Sequence, residues 1–138
     1  RQLIQIEKTR LNEEWISDSL KSLARTFEYP LHFIDFETSG VALPFTKGRR
    51  PYEQVAFQFS HHVLREDGSV CHQTEYLSSQ PGEFPNFEFA RALRAALGQD
   101  QGSIFKFASH ENTILNVIIQ QLKASKEEDK EELIEFLK

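Results

Sequence analysis

The chain has 138 residues, the length of a single domain, and its hydrophobic and charged contents of 39% and 27% are ordinary for a globular protein. No apolar run approaches the roughly 20 residues that a membrane-spanning helix needs, and the amino terminus does not resemble a signal peptide. The net charge of −5 argues against a broadly basic nucleic-acid-binding surface. The single cysteine, Cys71, excludes an internal disulfide and fits a cytoplasmic protein without a membrane partner.

The sequence contains no Met and stops inside a helical pattern. We therefore expect a piece of a longer protein, with the other domains of that chain among its partners. Within this piece we expect a helical lead-in over residues 1–28 and a partial α/β domain over residues 29–138.

Hydrophobic periodicity and turn residues predict the helices and strands, while Leu3–Ile6 fit either type. In chain order the predicted elements are a helix over Glu13–Phe27 with Asn12 as its N-cap, strands over Leu31–Thr38, Gln54–Leu64 and Val70–Leu77, a helix over Phe87–Leu97, a short buried strand over Gly102–Phe107, and helices from Ser109 to Leu122 and from Glu131 to Lys138.

The second strand alternates, which predicts one buried face made of Val55, Phe57, Phe59, His61 and Val63. Its neighbouring histidines, His61 and His62, then point to opposite sides, and we expect one to be packed and the other exposed. Residues Ser39 to Glu53 form a long connection for a hairpin, which favours a functional loop or one that is ordered by other contacts.

The order of elements, a helix and then β-β-β-α-β-α, restricts the topology. A right-handed crossover places the fourth strand beside the first and parallel to it. In open α/β sheets the chemistry gathers at the carboxyl ends of such strands. The sequence therefore predicts an α/β fold with a site at the end of the first strand.

Asp35 and Glu37 stand two residues apart in an otherwise apolar strand, so their side chains project from the same face. Two adjacent carboxylates repel each other, and hard cations such as Mg²⁺ and Mn²⁺ take oxygen ligands of this kind. The pattern favours a divalent metal site for phosphoryl transfer. The plainer alternative is a strand end with two solvated acids.

Glu111 lies in the first turn of the helix that follows the fourth strand and shares a face with the apolar residues Leu115, Ile118 and Leu122. If the first and fourth strands are neighbours, Glu111 can converge with Asp35 and Glu37. The alternative is an acid that stabilises the helix dipole.

Basic residues near this predicted site are candidates for substrate binding. Lys47, Arg49 and Arg50 follow the carboxylate strand and suit phosphate, although a solvated loop is an equal alternative. His110 adjoins Glu111 and suits a general base or a substrate contact, with a surface histidine as the alternative.

Several segments resemble known families. Phe33-Ile34-Asp35-Phe36-Glu37-Thr38 resembles the first motif of the DEDD exonucleases in the ribonuclease-H-like superfamily. The segments that resemble an uncharacterised bacterial domain family of that superfamily are Tyr29-Pro30, Gly48-Arg49-Arg50-Pro51-Tyr52, Phe57-Gln58-Phe59-Ser60 and His62-Val63. The members of that family carry Asn-Ala-Ser-Phe-Glu before the second helix, where this chain has Phe107-Ala108-Ser109-His110-Glu111.

This resemblance implies a ribonuclease-H-like fold, with three antiparallel strands, a crossover helix and a parallel fourth strand, cut before the last strand and helix. It implies 3′–5′ exonucleolytic hydrolysis of single-stranded DNA or RNA by a mechanism with two Mg²⁺ or Mn²⁺ ions. Asp35, Glu37 and Glu111 would be the catalytic metal ligands, with Asp35 bridging both ions. The substrate contacts would come from Thr38, Lys47, Arg49, Arg50 and His110.

The DEDD pattern also requires a fourth acid beyond the second helix, and nothing in Lys123–Lys138 fits it. We therefore expect this piece alone to be inactive or nearly so. One alternative is a non-catalytic ribonuclease-H-like module that binds nucleic acid or protein partners, and another is an endonuclease that acts on structured nucleic acid.

Overall fold

The computed structural model describes residues 2–106 and 108–138 as a mixed α/β fold built on an open four-stranded sheet. Its elements are α1 (Gln2–Leu11), α2 (Asp18–Ala24), β1 (Leu31–Ser39), β2 (Val55–Leu64), β3 (Val70–Leu77), α3 (Asn86–Leu97), β4 (Ile104–Lys106), α4 (His110–Lys123) and α5 (Lys130–Phe136). The strand order is β3-β2-β1-β4 with β4 parallel to β1, which confirms the predicted position of the fourth strand. Among the described residues, no helix is both long enough and apolar enough to cross a membrane.

The predicted helix over Glu13–Phe27 is wrong in its first half, because Asn12 ends α1 instead of starting α2. Asn12 takes the left-handed conformation (φ 52°), and the N–H of Glu13 donates to the carbonyl of Lys8 at 3.0 Å. This is the hydrogen bond of a Schellman C-cap, a position where Asn is well tolerated. The second helix follows Ser17, whose hydroxyl accepts the cap hydrogen bond.

A β-bulge changes the inward face of β2. Glu37 pairs with Gln58, whereas Thr38 pairs with Ala56, so Phe57 is an extra residue in β2. Ala56 is fully buried and Phe57 only half-buried. Val55 is also only half-buried, so the prediction that Val55 and Phe57 lie on the buried face is wrong, and Ala56 takes that place.

The core lies on one side of the sheet. Ile34, Phe36 and Phe59 project from that side and pack with the apolar faces of α3, α4 and α5. The fourth strand is a short edge strand, and Ile104 is 53% exposed. The prediction of a buried strand is therefore wrong, and its last residue, Phe107, lies outside the described residues.

Arg91 fastens α5 to α3. Its guanidinium donates two hydrogen bonds of 2.7 Å to the two carboxylate oxygens of Asp129, and it also pairs with Glu88 and Glu127. These hydrogen bonds, that to Asp129 first, raise the pKa of Arg91, and Arg91 in turn lowers the pKa of Asp129. Two acids near the start of α5, Glu127 and Asp129, therefore form ion pairs with α3.

Candidate functional site

Asp35 and Glu37 project from the sheet face that the helices leave uncovered. Along β1 the burial alternates, with Ile34 and Phe36 buried and the two acids exposed. None of the salt bridges within residues 2–106 and 108–138 includes either carboxylate. Two exposed acids without a cationic partner thus lie side by side near the carboxyl end of β1.

A hydrogen bond joins the end of β1 to the start of α4. Thr38 Oγ1 and His110 Nε2 are 3.0 Å apart. Both residues were predicted to contact substrate, and the structure brings them together across the β1–β4 edge. This contact also fixes the position of Glu111, the next residue along α4.

Glu111 is 4% exposed, and its Oε2 accepts a 3.1 Å hydrogen bond from the backbone N–H of Ala108. The carboxylate therefore links the first turn of α4 to the backbone just before it, at a helix end where the dipole favours negative charge. In the described part of the chain, no group of three or more His, Cys, Asp or Glu side chains is arranged to hold a metal ion. The centre made of Asp35, Glu37 and Glu111 stays a prediction.

The donor chemistry of Asp35 and Glu37 fits a hard divalent cation. Mg²⁺ keeps several water ligands and is commonly bound through one or two carboxylates together with substrate phosphate. The pair offers oxygen ligands that are open to solvent and not engaged by Lys or Arg, whereas Glu111 is buried and already hydrogen-bonded.

The three basic residues of the loop differ in their surroundings. The guanidinium of Arg49 stacks on Phe84, 3.3 Å from the ring centroid, and pairs with Glu53. Lys47 and Arg50 are exposed. Arg49 thus supports the loop, while Lys47 and Arg50 face solvent.

The loop between β1 and β2 is tied to the helices by Glu53. One carboxylate oxygen accepts from Gln121 of α4 at 3.0 Å and from Arg49 at 3.4 Å. The other accepts from the backbone N–H of Arg50 at 3.0 Å. These contacts explain how so long a connection is ordered.

Asn86 continues the same network into the core. It is fully buried, accepts a 2.7 Å hydrogen bond from the N–H of Ala56, and donates to Gln121 and to the carbonyl of Gln54. One side chain therefore connects β2, α3 and α4, which fixes the end of the loop against two helices.

A groove of about 970 Å³ lies between residues 48–54 and α4. Arg50 and Tyr52 contribute to one wall, and Asn116 and Gln120 contribute to the other. Tyr52 is 68% exposed, and its backbone has the left-handed value φ 59°. The sequence motif that contains Tyr52 was recognised, but its role in lining a groove was not predicted.

A buried chain of hydrogen bonds crosses the opposite end of the sheet, and sequence reasoning missed it. Asp100 Oδ1 lies 3.0 Å from His32 Nε2, His32 Nδ1 lies 2.9 Å from His61 Nε2, and His61 Nδ1 lies 2.9 Å from Thr74 Oγ1. A carboxylate only accepts, so His32 Nε2 donates to Asp100. The directions of the other two hydrogen bonds depend on the tautomers of His32 and His61.

Burial, followed by the neighbouring His32, lowers the pKa of His61. The N–H of Gly102 lowers the pKa of Asp100 and favours the charged acceptor. His61 is fully buried and His62 exposed, which confirms the predicted split between the two neighbours.

The model of one protein family, described as Domain of unknown function (DUF2779), matches residues 32–137. No curated protein and no solved structure gives a significant match to the chain. The matched region contains Asp35, Glu37, the 48–54 loop and Glu111, and it covers most of the sequence. The chain therefore belongs to the DUF2779 family of domains of unknown function.

Proposed function

We propose that this chain is a nuclease domain of the ribonuclease-H-like type, a cytoplasmic hydrolase of phosphodiesters in single-stranded DNA or RNA that works from the 3′ end. The observation that carries the proposal is the position of Asp35 and Glu37. They are exposed acids on one face of β1, next to the strand end that Thr38 and His110 join to α4. The parallel β1–β4 pair supports the proposal, because open α/β sheets bind ligands at such strand ends.

In this proposal Asp35 and Glu37 hold Mg²⁺ or Mn²⁺ through their oxygens. Bound cations would supply Lewis acidity at the scissile phosphate and lower the pKa of the attacking water. The chain's own contribution is positioning: Thr38 orients the His110 ring through Nε2 and leaves Nδ1 to hold or move a proton. Glu111 keeps the start of α4 in place through its bond to Ala108.

The first prediction concerns Asp35→Asn, which keeps the shape of the side chain and removes its charge. With Mn²⁺ and single strands labelled at the 3′ or the 5′ end, we expect stepwise loss of nucleotides from the 3′ end. Asp35→Asn should reduce the rate by more than about 100-fold, because a metal ligand is lost. The assay needs the longest native form of the protein as well as the 138 residues.

Asp18→Asn is the matched control, since Asp18 is an almost fully exposed acid on α2. Its rate should equal that of the unmodified protein. Cleavage that Asp35→Asn leaves unchanged would remove the nuclease proposal.

A non-catalytic module that binds nucleic acid or protein partners is the second candidate. The hydrogen bond that engages the Glu111 carboxylate favours it, because this acid then serves the helix rather than a metal. Nucleic acid binding without cleavage in the same assay, with Mn²⁺ and with Mg²⁺, would support this second candidate.

A further inference from the structure

Tyr52 is a large aromatic side chain that the fold holds out in solvent. Its left-handed backbone is costly for a residue with a β-carbon, and such conformations persist where the surroundings over-determine them. Here the N–H of Tyr52 donates to the carbonyl of Val41 at 2.8 Å, and the next residue, Glu53, is bonded to α4. The backbone of Tyr52 is therefore held in place, while its ring stays largely exposed.

Arg50 lies in the same wall, and its side chain forms no salt bridge with any residue in the described part of the chain. Its backbone N–H is fixed by Glu53, while its side chain is exposed and lines the groove. Glu53, the acid of the groove, is balanced by Arg49. The net charge of the groove is therefore positive and comes from Arg50, although the net charge of the whole chain is −5.

The opposite wall carries no charge. Between Glu111 and Lys123, α4 contains no acidic or basic residue, and its exposed positions include Thr113, Asn116 and Gln120. Surface helices usually carry many charges. A neutral wall of hydroxyl and amide groups does not repel phosphate, and it can donate to and accept from the edge of any base.

The groove begins close to the proposed catalytic site. Thr113 lines it one helical turn after His110, which is bonded to Thr38 at the end of β1. From there the groove follows α4 to Ser125.

We propose that this groove binds single-stranded nucleic acid, with a base stacked on Tyr52 and a backbone phosphate on Arg50. The inference rests on the proposed function and adds the path of the substrate to it. An exposed aromatic ring beside a single cation matches the way sequence-tolerant proteins hold single strands. The uncharged amides opposite them fit bases of either DNA or RNA.

The test is direct binding of fluorescein-labelled oligothymidylate and oligouridylate, measured by anisotropy in EDTA so that no metal contributes. Tyr52→Ala should weaken binding about tenfold, because stacking is lost. Tyr52→Ala keeps the β-carbon and thus the same backbone strain, and Tyr52→Phe should bind normally. Arg50→Gln should lower the slope of log affinity against log salt by about 0.7, the value for one phosphate contact of a single strand.

Phe45→Ala is the matched control for the aromatic change, because Phe45 is an exposed aromatic of the same loop that lies outside this groove. Arg10→Gln on α1 is the control for the charge change. Both should bind as the unmodified protein does. Circular dichroism and urea unfolding check that each variant is folded.

Oligonucleotide binding that is unaffected by Tyr52→Ala and Arg50→Gln would overturn the inference. The absence of any oligonucleotide binding would also overturn it, and a protein segment would then be the remaining ligand for the groove. Asp35→Asn separates the two proposals. If Tyr52-dependent binding persists in a protein that never cleaves, the groove stands and the nuclease fails. If cleavage depends on Asp35 but oligonucleotide binding does not depend on Tyr52, the nuclease proposal is supported and the groove proposal is rejected.

Discussion

His61 shows how a titratable residue can be enclosed without an opposite charge beside it. Its two ring nitrogens are both hydrogen-bonded, one to His32 and one to Thr74, so that neither polar atom is left without a partner. Protonating His61 would place a cation among buried apolar neighbours and beside a second imidazole. The charge of Asp100 opposes this effect but is farther away along the chain of bonds.

The His61 chain makes stability depend on pH, and we expect the protein to lose stability as the pH falls below 6.5. In the unfolded chain His61 has its ordinary pKa of 6.5, and in the folded chain this pKa is lowered. Between these two values the unfolded state binds more protons and is favoured. The contribution of neutral His61 is complete above pH 6.5 and is lost as the pH falls through the lowered pKa.

Urea unfolding between about pH 7.5 and about pH 5 measures this dependence, and one proton can account for at most about 1.4 kcal/mol per pH unit. His61→Gln should flatten the profile over this range. His72→Gln, at an exposed histidine of β3, should leave it nearly unchanged. A free energy of unfolding that is constant over this interval in the unmodified protein would contradict the prediction.

At the level of single residues, the sequence predicted the sheet face from which a side chain projects better than it predicted the residues that the side chain contacts. Strand alternation predicted that Asp35 and Glu37 share a face and that His61 and His62 do not, because the period of two depends only on the backbone. The ring under Arg49, that of Phe84, and the β1 partner of His61, which is His32, come from distant segments, and alternation carries no information about them. Two histidines at inward positions of paired strands were the available signal for the buried chain.

The attachment of α5 to α3 through Arg91 is an interaction between elements that can be measured. We expect Arg91→Met to lower the free energy of unfolding by about 1–2 kcal/mol, because it breaks a two-pronged pair with Asp129 and leaves three carboxylates close together. The partial exposure of Arg91 limits the effect, since solvent screens the charges. Urea unfolding near pH 7 gives the value.

Arg94→Met is the matched control on the same helix, since Arg94 makes one exposed salt bridge with Glu132. Its effect should stay below about 1 kcal/mol. Equal losses for the two variants would show that the cluster around Arg91 has no special role. High salt should reduce the difference between them.

One predicted helix boundary was wrong because its residue type is favourable at two different helix positions. Asn12 is favourable both as an N-cap and in a left-handed C-cap, and the sequence alone does not distinguish these. The bulge at Phe57 has no local signature, because it depends on how β2 pairs with β1. The segments Phe87–Leu97 and Ser109–Leu122 were predicted well, since each combines a long apolar stripe with a terminus signal.

At the scale of the whole molecule, the apolar contacts are distributed unevenly. The helices α3, α4 and α5 share one core with the sheet, whereas no side chain of α1 or α2 within residues 2–24 is buried. Several large apolar residues there are half exposed or more, among them Leu3, Ile6, Trp15 and Leu23. The topology was predictable from element order and the crossover rule, but this imbalance was not, because it depends on what packs against each helix.

Hydrogen exchange should reveal the imbalance. We expect the amides of α1 and α2 to exchange far faster than those of α3 and α4, because short helices without buried contacts open at little cost in free energy. Mass spectrometry of exchanged peptides measures the protection of each helix, and α3 provides the internal reference. Protection of α1 as strong as that of α4 would contradict the prediction and would show that the apolar residues of α1 are covered in solution.

The extra residue in β2 has a consequence for how this strand tolerates deletions. Removing one residue from a regular strand turns every later side chain to the wrong side of the sheet. A deletion at Phe57 would have the opposite effect, because β2 already has one residue more than β1 at this point. Shortening β2 there would restore simple pairing and keep the hydrogen bond from the N–H of Ala56 to Asn86, so length variation at this position is compatible with an unchanged interior.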